Sequence, residues 1–275
     1  MDKGYAILVE GPSGSGKSHF LRTALLSHKS GAVALAPGDD EWASYMEFEG
    51  DTRFAFQSFG DPLFLPSIKS WEATGHKELI TWLKDTLKLN IVHFKEHGEP
   101  LHRVIGFDTF TGMGELALNQ QMAKLKIDGA PPSQSPDGAA FYGGYARAMR
   151  EIATVGRAYR GLGIHWIATA HVIKREGQGG QMASASKEQI MPAFVGQFRE
   201  QVPGIFDLVF HSGVTNKGDH YLLWKPEPKR VTKSRFGPLT EEKHISNEWD
   251  ALLPLIETAI ETRINQSKAQ LGEKS

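Results

Sequence analysis

The sequence predicts an α/β fold, with a mainly parallel central sheet flanked by helices and an antiparallel extension toward the C-terminus. Three observations carry this expectation. Short apolar runs alternate with stretches of helical period through the first 170 residues, and parallel strands need crossovers of that length. A glycine-rich turn, GPSGSGKS at 11–18, separates an apolar run from an apolar-periodic stretch, in the order strand, loop, helix. After residue 203 the helical spacers stop and three apolar runs crowd together, as strands of antiparallel hairpins do.

Taken in order, YAILV (5–9) is the first expected strand and a helix follows at about 17 to 28. AVALA (32–36) and RFAFQ (53–57) are the next strands, the first of them expected beside the opening strand. A long helix is expected over 76 to 97, where Leu79, Ile80, Leu83, Leu87, Ile91 and Phe94 recur at steps of three and four. VIGF (104–107) reads as a strand, 113–125 and 139–161 as helices, and IHWIATA (164–170) as another strand. The runs FDLVFHSG (206–213), HYLLWKP (220–226) and KRVTK (229–233) form the antiparallel extension, with the turn former NKGD (216–219) between the first two. A last helix is expected over about 248 to 265. Two polar stretches rich in Gly, Pro and Ser, at 126–138 and 175–189, are expected to be loops, and loops of that length inside compact domains usually serve a function or stay disordered.

Composition narrows the class. With 275 residues and 40% hydrophobic content the chain can fill one sizeable core, so a single domain over 1–265 with a mobile polar tail at 266–275 is expected. The absence of cysteine excludes disulfides and thiolate metal sites. No apolar run approaches the roughly 20 residues of a membrane span, and the opening MDKGYAILVEGPSG lacks the pattern of a signal peptide, so a cytoplasmic protein without membrane contact is expected. Lys and Arg number 31 against 32 acids, so any nucleic acid would have to be held by a local basic patch.

The turn from Gly11 to Ser18 fits G-x-x-x-x-G-K-[ST] without a mismatch. Gly11, Pro12, Ser13, Gly14, Ser15 and Gly16 would curl the backbone so that its N–H groups face phosphates, and the helix that follows, with His19 in its first turn, brings its positive end to the same anion. Lys17 would reach the β- and γ-phosphates of ATP, and Ser18 would hold Mg²⁺. A second acid is expected at the C-terminal end of another parallel strand, where ligands of such sheets sit. Asp108 after VIGF supplies it, as a holder of Mg²⁺ through water, as a cap of the next helix, or as both. The acidic turn PGDDEW offers Asp39, Asp40 and Glu41 to polarise an attacking water, with Glu41 the first choice and Asp40 the second; a solvated turn is the alternative. His171 follows the run IHWIATA, at a strand tip where it can sense a terminal phosphate and pass its presence to the loop beyond. That loop carries Lys174, Arg175 and Lys187 among glycines and is expected to grip single-stranded DNA, with Phe194 and Phe198 in reach for stacking. The other histidines show no zinc-ligand spacing.

Together, GPSGSGKS, VIGFDT, ATAH with its basic glycine-rich loop, and a late KSR resemble the RecA-like P-loop ATPases, and most closely the compact phage-encoded recombination ATPases associated with single-strand annealing. The resemblance spans about residues 4 to 240. It implies a RecA-like ATPase whose catalytic set includes Lys17, Asp108, Glu41 or Asp40, and His171 at a position usually held by glutamine. Lys233 and Arg235 look like the basic pair that reaches a neighbouring subunit's nucleotide, with Lys229 and Arg230 as weaker candidates. A homo-oligomer, ring or filament, follows from that pair. The implied partners are single-stranded DNA and an annealing or single-strand-binding protein, in the host cytoplasm if the chain is phage-encoded. A nucleotide-dependent assembly or packaging factor and a small-molecule kinase are the alternatives; the kinase would need an arginine-rich lid that the Gly/Gln/Ser loop does not offer.

Overall fold

The structure, a computed structural model, describes residues 3–36, 42–61, 73–127, 131–132, 136–175, 189–227 and 229–272. Its strands are β1 (Ala6–Gly11), β2 (Gly31–Leu35), β3 (Phe54–Ser58), β4 (Val104–Asp108), β5 (His165–Arg175), β6 (Gln189–Pro192), β7 (Leu208–Val214), β8 (His220–Leu223), β9 (Lys233–Ser234) and β10 (His244–Ser246). They join in one sheet of order β10-β8-β7-β1-β5-β4-β2-β3, with β6 beside β5 and β9 beside β7. From β3 to β7 along that order every pairing is parallel, and β8 and β10 extend the sheet antiparallel. The helices are α1 (Lys17–His28), α2 (Gly75–His97), α3 (Phe110–Leu125), α4 (Pro136–Arg160), α5 (Phe198–Ile205) and α6 (Trp249–Gly272), with a 3-10 turn over Trp42–Phe48.

Period-two alternation divides the apolar residues between two cores. In β1, Ala6 and Leu8 face α2 to α5, joining Leu83, Leu116, Ile152 and Trp166. Ile7 and Val9 face α1 and α6, joining Phe20, Leu25, Trp249 and Ile256. Because both faces are covered, the parallel strands read as continuous apolar runs, the signal that the sequence carries most strongly.

Several boundaries differ from expectation, each for a physical reason. AVALA does not neighbour β1: β5 and β4 lie between β1 and β2, so β2 stands beside the strand that ends in Asp108. β5 does not stop at Ala170. It runs on to Arg175 because Val172–Arg175 find antiparallel partners in Gln189–Pro192, a strand the sequence does not announce. The run KRVTK shrinks to β9, since only Leu208 and Val209 of β7 are open to it; Val214 to His211 already pair with β8 on the same side. α3 starts at Phe110, ahead of the expected 113, because the Thr109 hydroxyl accepts from Gly112 N at 3.0 Å and caps it. α5 is a short helix that the sequence does not announce, and α6 continues past 265 to Gly272 as an exposed helical end. Among the described residues no helix is long and apolar enough to cross a membrane.

Candidate active site

The turn after β1 has the backbone that its glycines permit. Gly14 (φ 73°) and Gly16 (φ 90°) lie in the left-handed region, and a Cβ on Gly16 would come within 2.6 Å of Asn247 Nδ2 and 2.8 Å of His220 Nδ1. Gly16 is the N-cap of α1, and no side chain caps that helix end. Uncapped first-turn N–H groups and the helix dipole together make an anion cradle. The turn is held from two sides: Ser212 of β7 donates its hydroxyl to Ser15 O, and Asn247 donates to Gly16 O at 2.8 Å. Lys17, 5% exposed, bends over the turn and donates to Pro12 O at 2.8 Å. Ser18 is half-buried in the first turn of α1. His19 is drawn to the α6 side, with Nε2 2.8 Å from Glu248 and its ring stacked 6.2 Å from His220.

Asp108 ends β4, fully buried. Its carboxylate accepts from the Tyr45 hydroxyl at 2.7 Å and from the Thr169 hydroxyl. It does not cap α3, because Thr109 has that role. Parallel register sets His171 of β5 beside Gly11, with β4 on the other side of β5. Lys17 and Asp108 therefore open on one edge of the sheet and both act on the His171 ring: burial lowers its pKa most, the Lys17 ammonium lowers it further, and Asp108 partly offsets them. The backbone N–H of His171 donates to the Thr111 hydroxyl at 3.2 Å, which ties the strand to the start of α3.

The other expected residues are distributed unevenly. Asp39, Asp40 and Glu41 lie outside the described residues, although the segment leaves β2 at Ala36, whose N–H donates to Asp108 O at 2.8 Å. Lys174 is exposed on β5 and Arg175 ends that strand, while Lys187 lies outside the described residues. Phe194 and Phe198 are not available to stack on bases. Each is 1% exposed, and they pack edge to face at 5.5 Å because β6 turns the chain back into the core under Phe110 and Tyr145. Lys233 donates its ammonium to Pro203 O and Phe206 O, both at 2.9 Å. Arg235 pairs with Asp207 at 3.4 Å and donates to Gly204 O at 2.8 Å, near the N-terminal end of β7 and away from this chain's own turn. Arg230 pairs with Glu227.

A second buried group lies under the turn on the opposite face of β1. Glu10 is fully buried with neither carboxyl oxygen bonded among the described residues, and His211 Nδ1 lies 3.7 Å from one of them. Burial pushes the Glu10 pKa up from 4.5 to about 8 against the pull of Arg230, and burial, aided by Arg230, brings His211 down to about 4. A charged residue inside the apolar run AILVEG is the sequence signal for it; Tyr45, Thr169 and Asn247 leave no comparable trace. The folded state keeps the Glu10 proton up to about pH 8, whereas the unfolded chain releases it near 4.5, so stability falls as pH rises between those values. Glu10→Gln removes this proton linkage. Its urea denaturation midpoint is expected to fall less than the wild type's between pH 5 and 8; parallel pH profiles would contradict a buried neutral carboxyl.

Comparison with known proteins adds a family. Residues 3–236 match the family described as an AAA domain. Among solved structures, the crystal structure of the RadB recombinase aligns at 16% identity over 89% of this chain and 88% of that chain, with a TM-score of 0.44. No curated protein sequence matches.

Proposed function

Because the chain belongs to the AAA domain family and has the fold of a RecA-like P-loop NTPase, we propose that it is an ATPase of recombination or repair that grips single-stranded DNA in its ATP-bound state. One observation carries the reading: the phosphate turn and Asp108 open onto the same sheet edge, on the two strands that flank β5, with His171 between them. That arrangement suits a triphosphate lying across the strand ends.

In this reading the N–H groups of Gly11–Ser18 hold the phosphates, and Lys17 exchanges Pro12 O for phosphate oxygens. Ser18 would hold Mg²⁺ directly and Asp108 through water, since both its oxygens already accept hydroxyls. Such a donor set fits the ion, which usually keeps several waters and takes only one or two protein ligands. Mg²⁺, when bound, neutralises charge on the β- and γ-phosphates. Glu41, or else Asp40 or Asp39, would orient the attacking water, because their segment leaves β2 directly beside Asp108. A neutral His171 would read the terminal phosphate and transmit it along β5 to the hairpin that carries Lys174 and Arg175, with Lys187 beyond. In a homo-oligomer, Arg235 or Lys233 would serve the next subunit's nucleotide only after leaving its present carbonyl and carboxylate partners. The phage-type, annealing-associated role rests on the ordered motif set.

The test is the rate of phosphate release with and without single-stranded DNA, paired with filter retention of labelled DNA with and without ATP. Faster hydrolysis on DNA and ATP-dependent retention are expected. Hydrolysis indifferent to DNA, with retention indifferent to ATP, overturns the DNA part; no hydrolysis in either condition overturns the whole.

A further inference from the structure

Away from the nucleotide edge, the outer helical layer holds a concentration of positive charge that the fold itself does not use. A groove of about 390 Å³ lies between α2, α3 and α4, with Lys77 and Lys84 on one wall, Lys124 on the second and Arg147 on the third. A second depression lies between α4 and α5, bordered by Arg150 and Arg157. The walls of the two together carry these six cationic side chains and one carboxylate, Glu151, which is already paired with Lys84 at 2.8 Å. Among the described residues Arg150 bonds only the neutral Gln201, at 3.1 Å, and Lys77, Lys124, Arg147 and Arg157 have no acidic partner. In a chain of net charge −1 such one-sided placement is not a consequence of composition.

Two details mark the groove as a built site rather than a solvated face. His76, 3% exposed, is set into the wall of the groove beside the Ala148 backbone, which fixes that wall in place. Gln121 is laid into the floor over Gly144, where a Cβ would meet its Oε1 at 2.1 Å, so the amide can occupy that place only because residue 144 is glycine. The lining is otherwise short of apolar anchors, which a docked peptide or protein segment would need. Cations with side-chain amides suit phosphate oxygens instead. From Arg147 to Arg157 the helix advances about 15 Å, so the charge forms a track rather than a single-phosphate pocket.

We propose that the α2–α3–α4 groove and the Arg147–Arg150–Arg157 stripe of α4 beside it bind the phosphodiester backbone of single-stranded nucleic acid, as a second binding surface distinct from the β5–β6 hairpin. The inference rests on the DNA-binding reading above, and its test separates the two. Lys77→Ala/Lys124→Ala/Arg147→Ala changes three exposed residues and no residue of the nucleotide site, so hydrolysis without DNA should stay at the wild-type rate. With labelled single-stranded DNA and ATP, the variant should bind at least about tenfold more weakly at low salt. The slope of log affinity against log salt should fall by about 2, since each phosphate that a side chain neutralises on a single strand contributes roughly 0.7. Polyglutamate and inorganic tripolyphosphate should compete poorly with the DNA. An unchanged slope in a variant whose wild type retains DNA overturns the groove and leaves the proposed function standing. Competition by either small or peptidic polyanion equal to that of DNA overturns the assignment of ligand, and a wild type that retains no DNA overturns both readings.

Discussion

Lys17→Ala is expected to slow ATP hydrolysis by about 10²–10³-fold, the usual cost of deleting one preorganised charge from a transferring-group site. The ammonium sits at the first residue of α1, 5% exposed, in a turn whose backbone N–H groups already favour an anion. Its charge is therefore screened less than that of an exposed lysine. The same substitution should alter stability little. Alanine is the best helix former, and losing the bond to Pro12 O costs about 1 kcal/mol. Phosphate release and a thermal melt on the same sample check both halves; hydrolysis within a few-fold of wild type would refute the assignment of this turn as the phosphate site.

Asp108→Ala should act on stability and chemistry together, and Asp108→Asn should separate them. Alanine removes the carboxylate that accepts from the buried Tyr45 and Thr169 hydroxyls, an expected loss of about 2 kcal/mol from two hydrogen bonds. Asparagine keeps the volume and one carbonyl acceptor, so its melting temperature should lie much nearer the wild type. Hydrolysis should nevertheless fall about 100-fold or more in both, since the negative charge that would hold the water shell of Mg²⁺ is gone. Raising the Mg²⁺ concentration should recover part of the asparagine variant's activity. An asparagine variant with wild-type hydrolysis would show that Asp108 only organises the core around Tyr45 and Thr169.

The candidate site is legible in the sequence in unequal parts. The phosphate turn can be read because its chemistry is local: eight consecutive residues carry the glycines, the lysine and the hydroxyl, between a strand and a helix. Asp108 can be read because an acid ending an apolar run lies at a strand tip. Phe194 and Phe198 cannot be placed from sequence, since nearness to a basic loop says nothing about which way β6 turns, and it turns inward. Lys233 and Arg235 show the same limit: their positions along the chain are clear, but the carbonyls of Pro203, Gly204 and Phe206 that hold them come from in and just after a helix with no strong sequence signal.

From the order of residues alone come the α/β class, the covered parallel strands, the glycine turn proposed to cradle phosphate and the acid across from it, because each depends on periodicity or on bonds within a few residues. Strand order, the insertion of β4 and β5 between β1 and β2, the clamp of Asn247 on Gly16 across 231 residues, and the basic groove over α4 arise only when the chain is folded. The physical reason is that these features are set by which distant surfaces bury each other, and that choice is made by the free energy of the whole core, with no single stretch of the chain recording it.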